Sequence, residues 1–157
     1  MDGKFLNILK VAPYGDGINF CVLEPFSYMH SDGKVVTVPE RFITDFASIP
    51  REFWTLVGAP WGKYGFIAAV HDWLYYNQET TKAYADDVLF EGMKIMGVGV
   101  LDRDAIYEAV SKAGESSWDE NARKKSLGFL RVAPIFPTSV NDLPYVWTGT
   151  TGNWKKG

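Results

Sequence analysis

Phe66-Ile67-Ala68-Ala69-Val70-His71-Asp72-Trp73-Leu74-Tyr75-Tyr76 is the stretch on which the fold turns. Only His71 and Asp72 in it are strongly polar, and neither Gly nor Pro interrupts it. A helix that is apolar all round is a buried helix, so the run predicts a core helix over about residues 64–76, ending at Asn77. That placement takes an imidazole and a carboxylate out of bulk water. A buried charge without a partner is costly, so each group must be paired. Tyr75, four residues beyond His71, lies on the same helical face and offers a phenol.

A second helix is predicted over about residues 81–96, stopping at Gly97. At about 100° per residue, Ala85, Leu89, Gly92, Met93 and Met96 share one face. Asp86 falls at the margin of that stripe, and Asp87 falls near the opposite side with Glu91 and Lys94. Asp86 is therefore the carboxylate expected to point inward toward His71, and Asp87 the solvated one.

Upstream, residues 19–29 are rich in aromatic and branched side chains, and His30-Ser31-Asp32-Gly33 carries a turn signal. Lys34-Val35-Val36-Thr37-Val38 resumes as a strand stopped by Pro39, which completes a predicted hairpin. Residues 5–11 add an edge strand. Ser48 is placed as the N-cap of a short helix through Val57, with Pro50 in its first turn. Downstream, Asp102 is expected to cap a third helix that Gly114 ends. Ser117-Trp118-Asp119-Glu120 has capping-box spacing for a short fourth helix toward Leu127. Pro134, Pro137 and Pro144 then preclude a continuous helix. The expected fold class is α+β, an N-terminal antiparallel hairpin or sheet followed by a three- to four-helix half. Residues 1–133 form one domain in this reading, and residues 134–157 an extended arm carrying Tyr145, Trp147 and Trp154.

Composition narrows the function. A net charge of −3 disfavours nonspecific nucleic-acid binding, which draws on Lys and Arg to neutralise phosphates. The cluster Arg123-Lys124-Lys125 reads as a solvated helix face ahead of a contact patch. Cys21 is the single cysteine, so no intramolecular disulfide and no thiolate zinc site can form, which suits a reducing compartment. Residues 1–10 lack the pattern of a signal peptide, and no run approaches the roughly 20 apolar residues of a membrane span. A soluble protein is expected. Aromatics make up 15% of the chain, a surplus that points to interfaces as well as to the core.

The buried pair carries the candidate chemistry. An imidazole held by a carboxylate has its tautomer set, which leaves the other nitrogen to take a proton from water. His71, Asp86 and Tyr75 are the candidate catalytic set. Asp72, with carbonyls of the Gly62-Lys63-Tyr64-Gly65 loop, could hold a hard cation such as calcium. Three readings share these residues: a structural buried network, a catalytic dyad, and a metal site without catalysis. The segment Thr44-Asp45-Phe46-Ala47-Ser48-Ile49-Pro50-Arg51 reads first as a strand end, an acidic turn and a capped helix start. Its functional reading puts Asp45 and Arg51 near His71 in one pocket, walled by Trp54 and Trp61.

These residues also carry a signature. Val38-Pro39-x-x-Phe42-x-Thr44-Asp45-Phe46-Ala47-Ser48-Ile49-Pro50-Arg51-x-Phe53-Trp54, then Ala69-Val70-His71-Asp72-x-Leu74-Tyr75, then Ala85-Asp86 and Met93-x-x-x-Gly97-Val98, closely resemble domain of unknown function 1353 over about residues 35–114. Lys82 stands where that family leads one to expect Arg, and Leu89 where an aromatic is common. The resemblance implies a protein of tailed bacteriophages or prophages, with no activity established for the family. His71-Asp72-x-x-Tyr75 is also similar to the helix motif of phospholipase A2. That likeness implies His71 as general base, Asp72 as calcium ligand, Tyr75 as support and Asp86 as the carboxylate that orients the imidazole. The cysteines of its secreted members are missing here, and residues 59–65 match their calcium loop only loosely.

Three functions follow as expectations. The first is a phage virion or assembly component, tail proteins included, whose arm docks on other phage structural proteins or on copies of itself. The second is a phage hydrolase acting on a lipid or cell-envelope ester. The third is an inhibitor of a host defence protein. The expected location is the host cytoplasm during synthesis, with incorporation into the virion under the first.

Overall fold

The computed structural model describes residues 1–46, 52, 55, 64–129, 131–147 and 154–156. Among the described residues six short strands precede the helices: β1 (Lys4–Phe5), β2 (Val11–Pro13), β3 (Phe20–Val22), β4 (Phe26–Met29), β5 (Val35–Val38) and β6 (Ile43–Thr44). They form two antiparallel three-stranded sheets, ordered β1-β4-β5 and β2-β3-β6. The β4–β5 hairpin turns at the expected residues, with the Lys34 amide donating to Asp32 Oδ1 at 2.8 Å. Burial alternates along both strands, so Phe26, Tyr28, Val36 and Val38 form the inner face.

The single strand expected over residues 19–29 is broken in two. Pro25 has no N–H to give to a ladder, and the chain there passes from one sheet to the other. The edge strand expected over residues 5–11 divides likewise, Lys4–Phe5 pairing with β4 and Val11–Pro13 with β3. The helix expected from Ser48 to Val57 lies outside the described residues except for Glu52 and Thr55.

Three helices follow among the described residues: α1 (Gly65–Asn77), α2 (Lys82–Ile95) and α3 (Val100–Ser126). The fold is α+β, as the sequence pattern indicates. α1 buries most of its side chains, Ile67 to Asp72 among them, and ends where Gln78 takes a left-handed conformation. α2 starts at Thr81, whose Oγ1 accepts from the Tyr84 amide at 3.1 Å. Gly92 lets α1 and α2 approach closely, since a Cβ there would fall 2.1 Å from Ile67.

α3 corrects two expectations. It runs unbroken for 27 residues, so Gly114 does not end it and the Ser117 capping box opens nothing. Asp102 lies in the first turn, and Gly99 is the N-cap. A glycine inside a helix is tolerated where packing demands it, and Gly114 sits against Tyr75 and Lys82. Only Ile106 and Val110 of α3 are buried; Glu120 pairs with Arg123 at 2.7 Å on its solvated face.

Beyond α3 the chain returns to the sheets. Val132 bridges to Phe42, and the Ile43 amide donates to the Arg131 carbonyl at 2.7 Å. The Gly15 amide donates to the Asp142 carbonyl, also at 2.7 Å. β7 (Tyr145–Trp147) and β8 (Trp154–Lys156) then pair antiparallel, with Trp147 opposite Trp154.

Candidate active site

The site lies where α1, α2 and α3 meet below the end of β6. His71 and Asp86 are both 2% exposed, and His71 Nε2 lies 3.0 Å from Asp86 Oδ1. The Tyr75 hydroxyl donates to the same oxygen at 2.7 Å, and Lys82 Nζ donates to Asp86 Oδ2 at 2.6 Å. The helical phases thus sort the two acids as the sequence implies. Asp87 is exposed, although its carboxylate also lies 3.2 Å from His30 Nε2.

Burial alone pushes the Asp86 carboxyl up, but the hydrogen bonds from His71, Lys82 and Tyr75 outweigh it and hold the group below the usual carboxylate range. Burial and then the bond to Asp86 push the Tyr75 phenol well up, so it stays a donor. An ionised Asp86 only accepts, which assigns the proton at His71 Nε2. His71 Nδ1 is buried and has no hydrogen-bond partner among the described residues. Buried polar atoms are rarely left so, and an exception marks a place for a water or a ligand.

His71 and Tyr75 line a cavity of ≈ 240 Å³ together with Asp45, Asp72 and Arg131. Its α3 wall carries small side chains at Ala109, Ala113, Gly114 and Ser117, together with Val110 and Asn121. Arg131 has a side chain 30% exposed and so meets solvent, while His71 belongs to the interior. The turn that delivers Asp45 is strained: Phe46 has φ 55 and is held by burial of its ring against Phe20, Ala68 and Ala69. A bulky residue in that region costs on the order of 1–3 kcal/mol, and such strain clusters at functional sites.

Asp72 is buried and accepts from Thr44 Oγ1 at 2.6 Å. Arg131 Nη2 stands 3.7 Å from the same oxygen. A hard cation is held by several oxygens, and a guanidinium beside the carboxylate is a competing positive charge. The described residues therefore do not fit calcium at Asp72, and no cluster of three or more His, Cys, Asp or Glu suited to a metal occurs among them.

The structure brings together His71, Asp86, Tyr75, Asp72 and Asp45. Arg51, Trp54, Trp61 and most of the glycine loop lie outside the described residues. Tyr145, Trp147 and Trp154 belong to the β7–β8 hairpin. The sequence reading missed Arg131, Thr44 and the roles of Lys82 and Gly114. Lys82 had a signal, since it stands four residues before Asp86 at ion-pair spacing. Arg131 had none, because the return of the chain to β6 leaves no local pattern.

The fold and site define an α+β chain with a histidine–aspartate dyad at a three-helix junction, beside a cleft of mixed polar and apolar lining. The chain belongs to the family described as protein of unknown function (DUF1353), which matches residues 20–110, more than half of its length. An uncharacterized protein of Sinorhizobium fredii, y4jT, is 31% identical over 118 residues, or 71% of this chain. The chain spans 35% of the length of that curated relative. No solved structure matches it significantly. No described helix is long and apolar enough to cross a membrane.

Proposed function

We propose that this chain is a hydrolase of esters in which His71 is the general base. One observation carries the reading: His71 Nε2 is tied to Asp86 while Nδ1 has no partner among the described residues, in a residue that lines the cleft with Asp45, Asp72 and Arg131. A water at Nδ1 gives its proton to the imidazole as its oxygen bonds the ester carbonyl carbon. Asp86, accepting from Nε2–H, orients the ring and holds that tautomer while Nδ1 takes the proton. Arg131, whose Nε and Nη2 donate to the Ile43 carbonyl, is pinned at the cleft and supplies positive charge for the developing oxyanion. Collapse breaks the carbon–oxygen bond to the leaving alcohol, which takes the proton back from His71.

The arrangement parallels the phospholipase A2 motif in its His, Tyr and distant Asp, but not at Asp72, where Thr44 donates to Oδ2 and Arg131 stands 3.7 Å from that oxygen. The reaction proposed therefore needs no calcium. A panel of lipid and cell-envelope esters, run with calcium and with a chelator, is the test. The reading expects turnover of at least one ester in both conditions; none in either contradicts it.

A second reading, a bacteriophage virion or assembly component, is favoured by one observation. Ile135, Phe136, Val140 and Leu143 are exposed on the segment that leads to the β7–β8 hairpin. Clustered exposed apolar side chains mark interaction surfaces, and the partner in this reading is another copy of the chain or a second structural protein.

A further inference from the structure

We propose that Lys82 is a positioning residue that keeps His71 uncharged and in its Nε2–H form, by neutralising Asp86 from the far side of the carboxylate. The inference rests on the reading of His71 as a base. A carboxylate beside a buried imidazole has two opposite consequences. It orients the ring, and it also favours the charged imidazolium. An imidazolium has no lone pair and accepts no proton, so a carboxylate that raises the ring's proton affinity narrows the pH range over which the ring acts as a base.

Lys82 resolves the conflict. Its Nζ lies 2.6 Å from Asp86 Oδ2, while His71 and Tyr75 occupy Oδ1. The ammonium is itself nearly buried, and its remaining protons point to the Val110 and Ser111 carbonyls of α3 at 3.4 and 3.2 Å. Asp86 and Lys82 together are a neutral hydrogen-bonding unit. It accepts from His71 Nε2 and contributes little net charge to draw a second proton onto Nδ1.

Other charged and titratable groups face this junction from each packed element. Tyr75 and Asp72 come from α1, and Glu115 of α3 acts on Tyr75. Asp45 and Arg131 lie across the cleft. None of these except Tyr75 bonds to Asp86, so removal of Lys82 leaves its charge facing His71 without a counterion.

The test is nitrogen-15 NMR of the His71 ring in the full chain, across a pH series, for the parent, Lys82→Met and Lys82→Arg. The parent shows the neutral Nε2–H tautomer at neutral pH. In Lys82→Met the charged ring persists to a pH about one unit higher, a roughly tenfold gain in proton affinity. Lys82→Arg keeps the charge and follows the parent. A folded Lys82→Met with the parent's curve overturns the proposal. So does a parent ring that is charged or Nδ1–H at neutral pH, a result that stands even where Lys82→Met does not fold. No substrate enters the measurement, so absence of ester turnover and failure of the Lys82 role are separate outcomes.

Discussion

A Cβ added to Gly114 would stand 2.5 Å from the hydroxyl oxygen of Tyr75. The long helix α3 is thereby seated directly on the residue that donates to Asp86. The glycine that reads in the sequence as a helix end is instead the place where the third helix closes over the dyad.

Gly114→Ala is expected to destabilise the protein. Alanine gains roughly 1 kcal/mol of helix propensity over glycine. Overpacking typically costs about 1–3 kcal/mol, and here the atom that must move is held by a hydrogen bond to Asp86. A net loss of up to about 2 kcal/mol is expected in urea melts. A more stable alanine variant would show that Tyr75 moves aside freely.

Asp86 and Asp87 adjoin in sequence and differ in consequence. Asp86→Ala leaves Lys82, His71 and Tyr75 facing an empty site, and breaking a buried pair in this way costs roughly 3 kcal/mol or more. Asp87 is exposed, and its contact with His30 is partly solvated. Its alanine variant is expected within about 0.5 kcal/mol of the parent. Equal losses in the two variants would contradict the burial argued for Asp86.

The depressed Asp86 carboxyl carries a sign. A group held below its unfolded value, near 3.9 for aspartate, binds fewer protons when folded. Its contribution is fully present above that unfolded value and is lost as pH falls through the folded one. Parent stability should therefore drop more steeply below about pH 4 than that of Asp86→Asn. Parallel acid limbs in denaturant titrations would show that Asp86 gains no stability from being charged.

The core of this site was legible because it depends on local periodicity. The apolar run around His71 has one reading as a helix, and the phase of α2 separates Asp86 from Asp87 without tertiary information. The β4–β5 hairpin was legible for the same reason, its turn residues standing between alternating strands. Contacts made across the fold were not. Arg131 reaches Asp72 only because the chain after α3 returns to β6, and Pro25 divides a strand whose composition reads as continuous. Gly114 failed differently: its local preference is to end a helix, and packing against Tyr75 and Lys82 overrides it.

Replacing the exposed Ile135, Phe136, Val140 and Leu143 with serine, together with removal of residues 144–157, tests the interaction reading. Asp142, buried and bonded through its carbonyl to Gly15, is retained by such a cut. The truncated chain is expected to melt within a few degrees of the parent. Any self-association of the full chain in sedimentation should weaken or vanish. An unfolded product would place the β7–β8 hairpin in the folding unit instead.

The most direct test of His71 as the base is hydrolysis of the best ester found for the parent, compared in parent, His71→Asn and Asp87→Ala, each shown folded by circular dichroism. General-base catalysis contributes typically about 10²–10⁴-fold, so His71→Asn should lose a factor of that size in kcat. Asp87→Ala should keep the parent rate. A folded His71→Asn that hydrolyses the ester as fast as the parent would contradict the account.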